Sequence, residues 1–285
     1  MVMPGGARSP WSTAGLTSLA MLAFAANSLL CRAALGGARI DAATFTVVRL
    51  VSGAVVLSLL VVRRGGPPLR AGNWPSALAL LAYAAPFSFA YLRVGTGVGA
   101  LVLFGAVQAT MIGVDLWRGG RPPWTEWAGL ALALAGLAWL TVPGATAPDV
   151  FGVALMAGAG VAWGVYSLRG RGGDALATTA GNFVRSALLA SPLLGAAVWA
   201  GDAVHASGLW LAVASGALAS GCGYAIWYAA LPGLTATRAA VVQLTVPVLA
   251  ACGGRFWLGE VFTLQLAIAT ALVLSGVGLA IARRR

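Results

Sequence analysis

Residues 238–260 read RAAVVQLTVPVLAACGGRFWLGE. Between Arg238 and Arg255 the stretch is apolar apart from Gln243 and Thr245; it carries Pro247 and closes on Leu258-Gly259-Glu260. A run of this length and polarity spans a bilayer. A glutamine, a threonine and a proline are costly against lipid, so the helix is expected to turn them toward protein or a cavity. The chain also holds an earlier copy of the pattern: Ala106 to Thr110 reads AVQAT, and Val241 to Thr245 reads VVQLT. Laying Gln108 on Gln243 brings other landmarks of the two halves near register.

The composition supports the same reading. Of 285 residues, 60% are hydrophobic and 9% charged, against roughly a quarter charged in soluble domains. At about 20 apolar residues per spanning helix there is room for about ten spans and little else. Apolar runs are read at 11–32, 43–62, 73–92, 95–117, 125–143, 150–168, 177–199, 207–229, 235–257 and 262–282. Loop chemistry separates them: GGARID at 36–41, RRGGPPLR at 63–70, RGGRPP at 118–123, PGATAPD at 143–149 and RGRGGD at 169–174. The first run follows Arg8 and contains Ala23-Phe24-Ala25, which has the look of a cleavage site. It is expected to be retained, because the sixth run looks like its copy.

The net charge of +11 comes from arginine alone, with no lysine. In a soluble protein such a balance suggests nucleic acid; here the arginines sit in short loops, and membrane orientation explains them. With a cytoplasmic N-terminus, Arg8, Arg63, Arg64, Arg70, Arg118, Arg121, Arg169, Arg171, Arg238 and Arg283 to Arg285 lie inside. Arg32, Arg39, Arg93 and Arg255 lie outside. The chain is thus expected to be multi-pass in a bacterial inner membrane with both termini cytoplasmic.

Runs one to five and six to ten correspond. Phe45-Thr-Val-Val-Arg49 matches Gly181-Asn-Phe-Val-Arg185, and Trp124-Thr-Glu-Trp127 opens run five roughly where Phe262-Thr-Leu-Gln265 opens run ten. Five is odd, so the second copy enters the membrane from the opposite side. An inverted repeat of this kind is a carrier signature, with the solute site near the midplane between the halves. The fold expected is all-α and integral to the membrane: ten transmembrane helices in two inverted five-helix repeats, 11–143 and 150–282.

Gln243-Leu-Thr-Val-Pro247 followed by Leu258-Gly-Glu260, then a glycine-bearing last helix ending in Arg283-Arg-Arg285, resembles the EamA-type half of the drug/metabolite transporter superfamily. Arg49 and Arg185 fall where each such half carries an arginine early in its second helix. The first half departs from the pattern, with Ile112 at the proline position and no Leu-Gly-Glu. The resemblance implies export or exchange of small metabolites across the inner membrane.

Candidate site residues follow from chemistry at membrane depth. Tyr83, Phe87 and Tyr91 share one helix face, as do Tyr224, Trp227 and Tyr228. Trp163 lies between Gly160 and Gly164, a pair that lets a neighbouring backbone approach. For Trp163 and Tyr83, cavity lining and packing stand level; for Tyr91 and Trp227, near segment ends, interfacial anchoring leads. The other tryptophans sit mostly near segment ends, where anchoring suffices. Gln108 and Gln243 both donate and accept, which suits a solute's amino or carboxylate group and equally a bond between helices. Asn27 is deeper than Asn182 and the better candidate. The substrate-binding set is therefore Asn27, Tyr83, Phe87, Gln108, Trp163, Tyr224, Tyr228 and Gln243. Pro86 and Pro247 can kink their helices, as gate hinges or simply as shape. Arg49 and Arg185 are assigned to gating or structure, with direct binding of a solute carboxylate as the lesser reading.

Other chemistries find no footing. Asp41, Asp115, Glu126, Asp149, Asp174, Asp202 and Glu260 all fall in loops or at segment ends, whereas proton- or cation-coupled carriers keep a carboxylate at depth. Glu260 is expected to pair with Arg255 or cap the last helix, and His205, in an outer loop, supports no proton relay. Cys31, Cys222 and Cys252 lack metal-ligand spacing and read as small buried side chains. The glycines of Gly95-Thr-Gly97-Val-Gly99 lack the ending of a phosphate loop, and Gly95 and Gly99 read as helix contacts. No catalytic residue, metal, cofactor or nucleic acid is expected. The partners are a small-molecule solute and the lipid bilayer, and a ten-helix monomer is large enough to enclose its own site. The function expected is export of small neutral or zwitterionic metabolites, amino acids first and aromatic ones favoured, by alternating access down the solute's own gradient. Within the superfamily, the aromatic stripes and missing buried acids make the chain similar to bacterial aromatic amino-acid exporters. The alternatives are proton-coupled drug efflux within the same superfamily, a membrane-embedded enzyme and a channel-like pore.

The topology has a direct check in a variant whose three native cysteines are replaced by alanine. An impermeant maleimide is expected to label Ser207→Cys in intact cells and Gly66→Cys only after the membrane is broken; the opposite pattern inverts the orientation.

Overall fold

Helix caps and glycine contacts explain most of the architecture. The computed structural model describes residues 10–117, 119, 124–140, 148–169, 174–201, 204–234, 242–243 and 245–281. Arg238, Arg171, Arg118, Arg121, Arg8 and the terminal arginines, counted above for orientation, lie outside the described residues. Every element among the described residues is helical: α1 (Pro10–Gly36), α2 (Ala42–Arg63), α3 (Trp74–Ala90), α4 (Thr96–Trp117), α5 (Trp124–Leu140), α6 (Val150–Arg169), α7 (Ala175–Leu189), α8 (Ser191–Ala200), α9 (Ala206–Ala214), a π-helical segment (Ser215–Cys222), α10 (Gly223–Ala230), a short 3₁₀ turn (Leu231–Gly233), α11 (Thr245–Trp257) and α12 (Leu264–Ile281). Among the described residues five helical stretches are long and apolar enough to cross a membrane: Thr13–Gly36, Ala42–Arg63, Val150–Arg169, Ala175–Trp199 and Ala206–Gly233. Shorter apolar helices run over Trp74–Ala90, Thr96–Met111, Trp127–Gly136 and Leu264–Gly276.

The carboxylates that the sequence puts at segment ends are largely caps. Asp41 accepts from the Thr44 amide at 2.7 Å, Asp149 from Gly152 at 2.6 Å, and Asp174 from Leu176 and Ala177 at 3.1 Å. Each satisfies donors that the first helical turn cannot. Asn73 does the same for α3 through the Ser76 amide, at 2.9 Å. Run seven proves to be two helices, α7 and α8, broken at Ala190. Pro192 is the reason: it has no amide hydrogen for the Leu188 carbonyl four residues back, and the Ser191 hydroxyl donates to that carbonyl instead, at 2.8 Å.

α3 and α4 both lie against α6, while α1 lies against α9, α10 and α11. α2 packs on α7 and on the π segment, α3 also on α7, α4 on α11, and α5 on α12. Small residues set the closest approaches. A Cβ on Gly160 would stand 2.7 Å from the Ala106 methyl, and one on Gly164 2.9 Å from Thr110 Cβ, so α6 lies backbone-close to α4. Gly216 of the π segment abuts the Arg49 carbonyl and the Ser52 hydroxyl in the same way. Outward faces carry Leu22, Val55, Leu59, Leu78 and Leu218, and Trp74, Trp124, Trp199, Trp210 and Trp257 stand exposed near helix ends.

Each end of the bundle is tied by arginine. At one end Arg185 donates to the carbonyls of Ala71 (2.9 Å), Gly181 (3.0 Å) and Leu69 (3.2 Å), and Arg169 donates to the Ser76 hydroxyl at 3.2 Å. Asn182 holds the same loop, accepting from the Asn73 amide at 2.9 Å. At the other end Glu260 corrects the expectation drawn for it. It caps α4, a helix far away in sequence, accepting from the Thr96 amide at 2.7 and 3.0 Å and the Thr96 hydroxyl at 3.1 Å. Its cationic partner is Arg32, at 3.2 Å, and Arg32 also donates to the Tyr91 carbonyl at 2.7 Å. α12 is capped by the Thr263 hydroxyl, which accepts from the Leu266 amide at 3.1 Å. Arg93 pairs with Asp149 at 3.6 Å, and the His205 amide donates to the Arg39 carbonyl at 2.8 Å.

Two thermal-unfolding measurements test this account. Gly160→Val is expected to lose about 1–3 kcal/mol through overpacking, while Gly158→Ala, with nothing within 4 Å of the added methyl, is neutral or stabilising. Glu260→Ala is expected to lose about 0.5–2 kcal/mol, the range for a lost helix cap, and Glu260→Gln less, because it keeps an acceptor for Thr96.

Candidate functional site

Near the middle of the bundle, side chains of α1, α3, α4, α6, the π segment and α10 converge on one cavity. Its lining includes Asn27, Tyr83, Phe87, Trp163 and Tyr224. Sequence reasoning singled out these five. It missed Phe24, Ser28, Leu103, Phe104, Ala219 and Ser220, which complete the wall. The cavity is narrow, with about 30 Å³ open to the centres of water molecules, room for roughly two waters.

One wall is aromatic. Trp163 stacks on Tyr224 with ring centroids 5.1 Å apart and planes inclined by 16°. It also meets Tyr83 at 4.9 Å and Tyr166 at 5.5 Å. Tyr83 leads to Phe87 at 5.3 Å, and Phe87 meets the Tyr91 ring edge-on at 4.8 Å. Tyr91 is wholly buried and Trp227 nearly so, the latter edge-on to Phe24 at 6.0 Å. This overturns the anchoring expectation for both. They sit near helix ends in sequence, but α1 and α4 cover them, and a buried ring gains more from packing than from the interface.

The polar wall is a chain of side-chain hydrogen bonds. The Ser215 hydroxyl donates to Asn27 Oδ1 at 2.7 Å, Asn27 Nδ2 donates to the Tyr83 hydroxyl at 3.4 Å, and Arg49 Nη2 donates to the same oxygen at 2.8 Å. Arg49 Nε donates to the Ser220 hydroxyl at 3.3 Å. The guanidinium also lies 4.8 Å from the Phe87 ring centre and 5.1 Å from that of Tyr83, a cation–π arrangement. Ser215 and Ser220 belong to the π segment, where the Gly223 amide reaches back five residues to Leu218. Such wide turns re-aim side chains and are frequent at functional sites. A run of Ser215-Gly, Ser220-Gly and Cys222-Gly is the signal the sequence offers for this segment, which otherwise reads as part of an apolar run.

The remaining candidates lie apart from the lining. Gln108 is buried on α4, one turn beyond Phe104 on the same face. Tyr228 is half-buried against the core, one turn beyond Tyr224. Gln243 belongs to the helical pair Val242–Gln243 and is half-buried. Pro86 lies inside α3 beside Phe87, and Pro247 is buried in the first turn of α11. Arg185 stands at the bundle end on loop carbonyls. The side chain of Ile112 lies outside the described residues. Among the cysteines, Cys31 is buried, Cys222 half-buried and Cys252 exposed.

Comparison with known proteins adds the family. The chain is 53% identical over 272 residues to the uncharacterized protein PA1977 of Pseudomonas aeruginosa, covering 94% of each chain. It is 32% identical over 182 residues to the threonine/homoserine exporter RhtA of Salmonella typhimurium, covering 61% of this chain and 60% of that one. A solved crystal structure superimposes with a TM-score of 0.63 at 22% identity, over 94% of this chain and 99% of that one, so the fold is shared. The profile of the EamA-like transporter family matches residues 150–282. With helices able to cross a membrane and a cavity at their centre, this chain belongs to the EamA-like transporter family of the drug/metabolite transporter superfamily.

Proposed function

We propose that this transporter exports small neutral or zwitterionic metabolites, amino acids first and aromatic ones favoured, through the central cavity by alternating access. The observation that carries the reading is the cavity itself. It is lined by the rings of Trp163, Tyr224 and Tyr83 together with Asn27, which accepts from Ser215 and donates to the Tyr83 hydroxyl. An apolar wall facing a few fixed polar groups suits a solute with an apolar side chain and a polar head. The named activity of RhtA, threonine and homoserine export, supports the amino-acid class. The narrowness of the cavity fits a carrier whose site closes between loading and release.

The two-fold reading, ten transmembrane helices in inverted repeats 11–143 and 150–282, is supported by the pairing of helices. Counting α7–α8 and α9–α10 as single spans, α3 on α6 has its mate in α1 on α9–α10, and α4 on α6 in α1 on α11. α2 on α7, α4 on α11 and α5 on α12 are each their own mates. Orientation follows the arginine count: the Arg185 end is assigned to the cytoplasm of a bacterial inner membrane and the Arg32–Glu260 end outside, with both termini cytoplasmic. Gradient-driven export, rather than proton coupling, is supported by the caps, since Asp41, Asp149, Asp174 and Glu260 all serve helix ends.

Purified protein in liposomes loaded with radiolabelled phenylalanine, tryptophan or threonine is expected to show saturable efflux without a proton gradient. Trp163→Ala should weaken it by about 2- to 10-fold, the worth of one aromatic pair. Absence of amino-acid flux, together with proton-driven flux of an organic cation, would replace this reading with drug efflux.

A further inference from the structure

Two arginines that the sequence treats as equivalents have opposite environments. Arg185 is satisfied by three backbone carbonyls and by the Trp74 ring, 5.9 Å from its guanidinium carbon. Arg49 is 2% exposed and touches neutral groups alone: two hydroxyls and the faces of two rings. Its Nη1 is buried with no hydrogen-bond partner. Neither salt bridge among the described residues involves it. The nearest acid along its own helix, Asp41, lies two turns away and caps α2. A buried cation without a counter-charge is among the costliest arrangements in a protein. Hydroxyls and rings offset part of that cost and leave the charge unneutralised.

Three of its contacts, Tyr83, Phe87 and Ser220, line the central cavity. Tyr83 already accepts two hydrogen bonds, from Arg49 and from Asn27, and Ser220 accepts one. Among the described residues neither hydroxyl proton has an acceptor, so both remain to be donated. A guanidinium N–H pair and two hydroxyl protons beside one cavity form a donor-only cluster around a positive charge. That is the complement of a carboxylate.

We propose that Arg49 is the anion-binding residue of the cavity: the carboxylate of the solute is its missing counter-ion, held by Nη1 and by the hydroxyls of Tyr83 and Ser220, with the solute's apolar part against Trp163 and Tyr224. The inference rests on the cavity being the transport site and names the chemistry it selects. Solutes must carry an anionic head, an α-carboxylate in the amino-acid case, and organic cations are refused by the same charge.

The test compares three head groups on one ring, using full-length protein in lipid nanodiscs and calorimetric titration. 3-Phenylpropanoate carries the carboxylate alone, phenylalaninamide the ammonium alone, and phenylalanine both. The two carboxylates are expected to bind about 10- to 100-fold more tightly than the amide, as for a buried hydrogen bond to a charged group. Arg49→Gln should abolish that preference, Arg49→Lys should keep part of it, and Tyr83→Phe should weaken the carboxylates while leaving the amide unchanged. If Arg49→Gln does not fold, Arg49→Lys and Tyr83→Phe decide. Equal binding of amide and carboxylates, failure of both carboxylates to bind, or a preference left undiminished by Arg49→Gln, by Arg49→Lys or by Tyr83→Phe would overturn the proposal. Arginine-dependent binding of 3-phenylpropanoate without binding of phenylalanine would uphold the anion site and overturn the amino-acid reading.

Discussion

The guanidinium of Arg49 shapes the centre of this protein. A cation taken out of water must be wrapped in donors' partners and polarisable surface, or the fold does not hold it. Here the wrapping draws on α2, α3 and the π segment through Arg49, Tyr83 and Ser220, and on α1 through Asn27. The backbone makes room for it. Gly216 lets the π segment lie directly on the Arg49 carbonyl, and the wide turn brings Ser215 and Ser220 to the same side as the charge. Replacing the arginine by an apolar residue would remove the reason for much of this local geometry.

Charge is otherwise kept to the ends. Asp41, Asp149 and Asp174 cap helices, and Glu260 reaches across the bundle to cap α4 while pairing with Arg32. The Glu260 knot joins the ends of α1, α3 and α11 to the start of α4; the Arg185 clamp joins α7 to the loop before α3 at the opposite end. The two knots differ in kind. One is an ion pair with a helix cap; the other is an arginine on backbone carbonyls. The two sets of ties share no residue.

This chain shares its fold with a solved structure at 22% identity. In this chain the wall combines the interacting rings of Trp163, Tyr224, Tyr83 and Phe87 with one short polar chain. The rings give area and shape, and the polar chain gives direction.

Membership, helix positions and most of the aromatic wall were legible in the sequence, because lipid enforces length and apolarity on every spanning helix. Trp163, Tyr83, Phe87, Tyr224 and Asn27 stood out as bulky or polar groups inside apolar runs, and the Gly160–Gly164 pair announced the α4–α6 contact. The sequence could not tell Arg49 from Arg185: one ends buried behind residues of the cavity wall, the other at the bundle end against the carbonyls of a loop. Nor could it pair Glu260 with Thr96 and Arg32, foresee the break at Ala190, or bury Tyr91. Those outcomes depend on which helix lies across from each residue, a matter of contacts between segments distant in the chain, on which local pattern and spacing are silent.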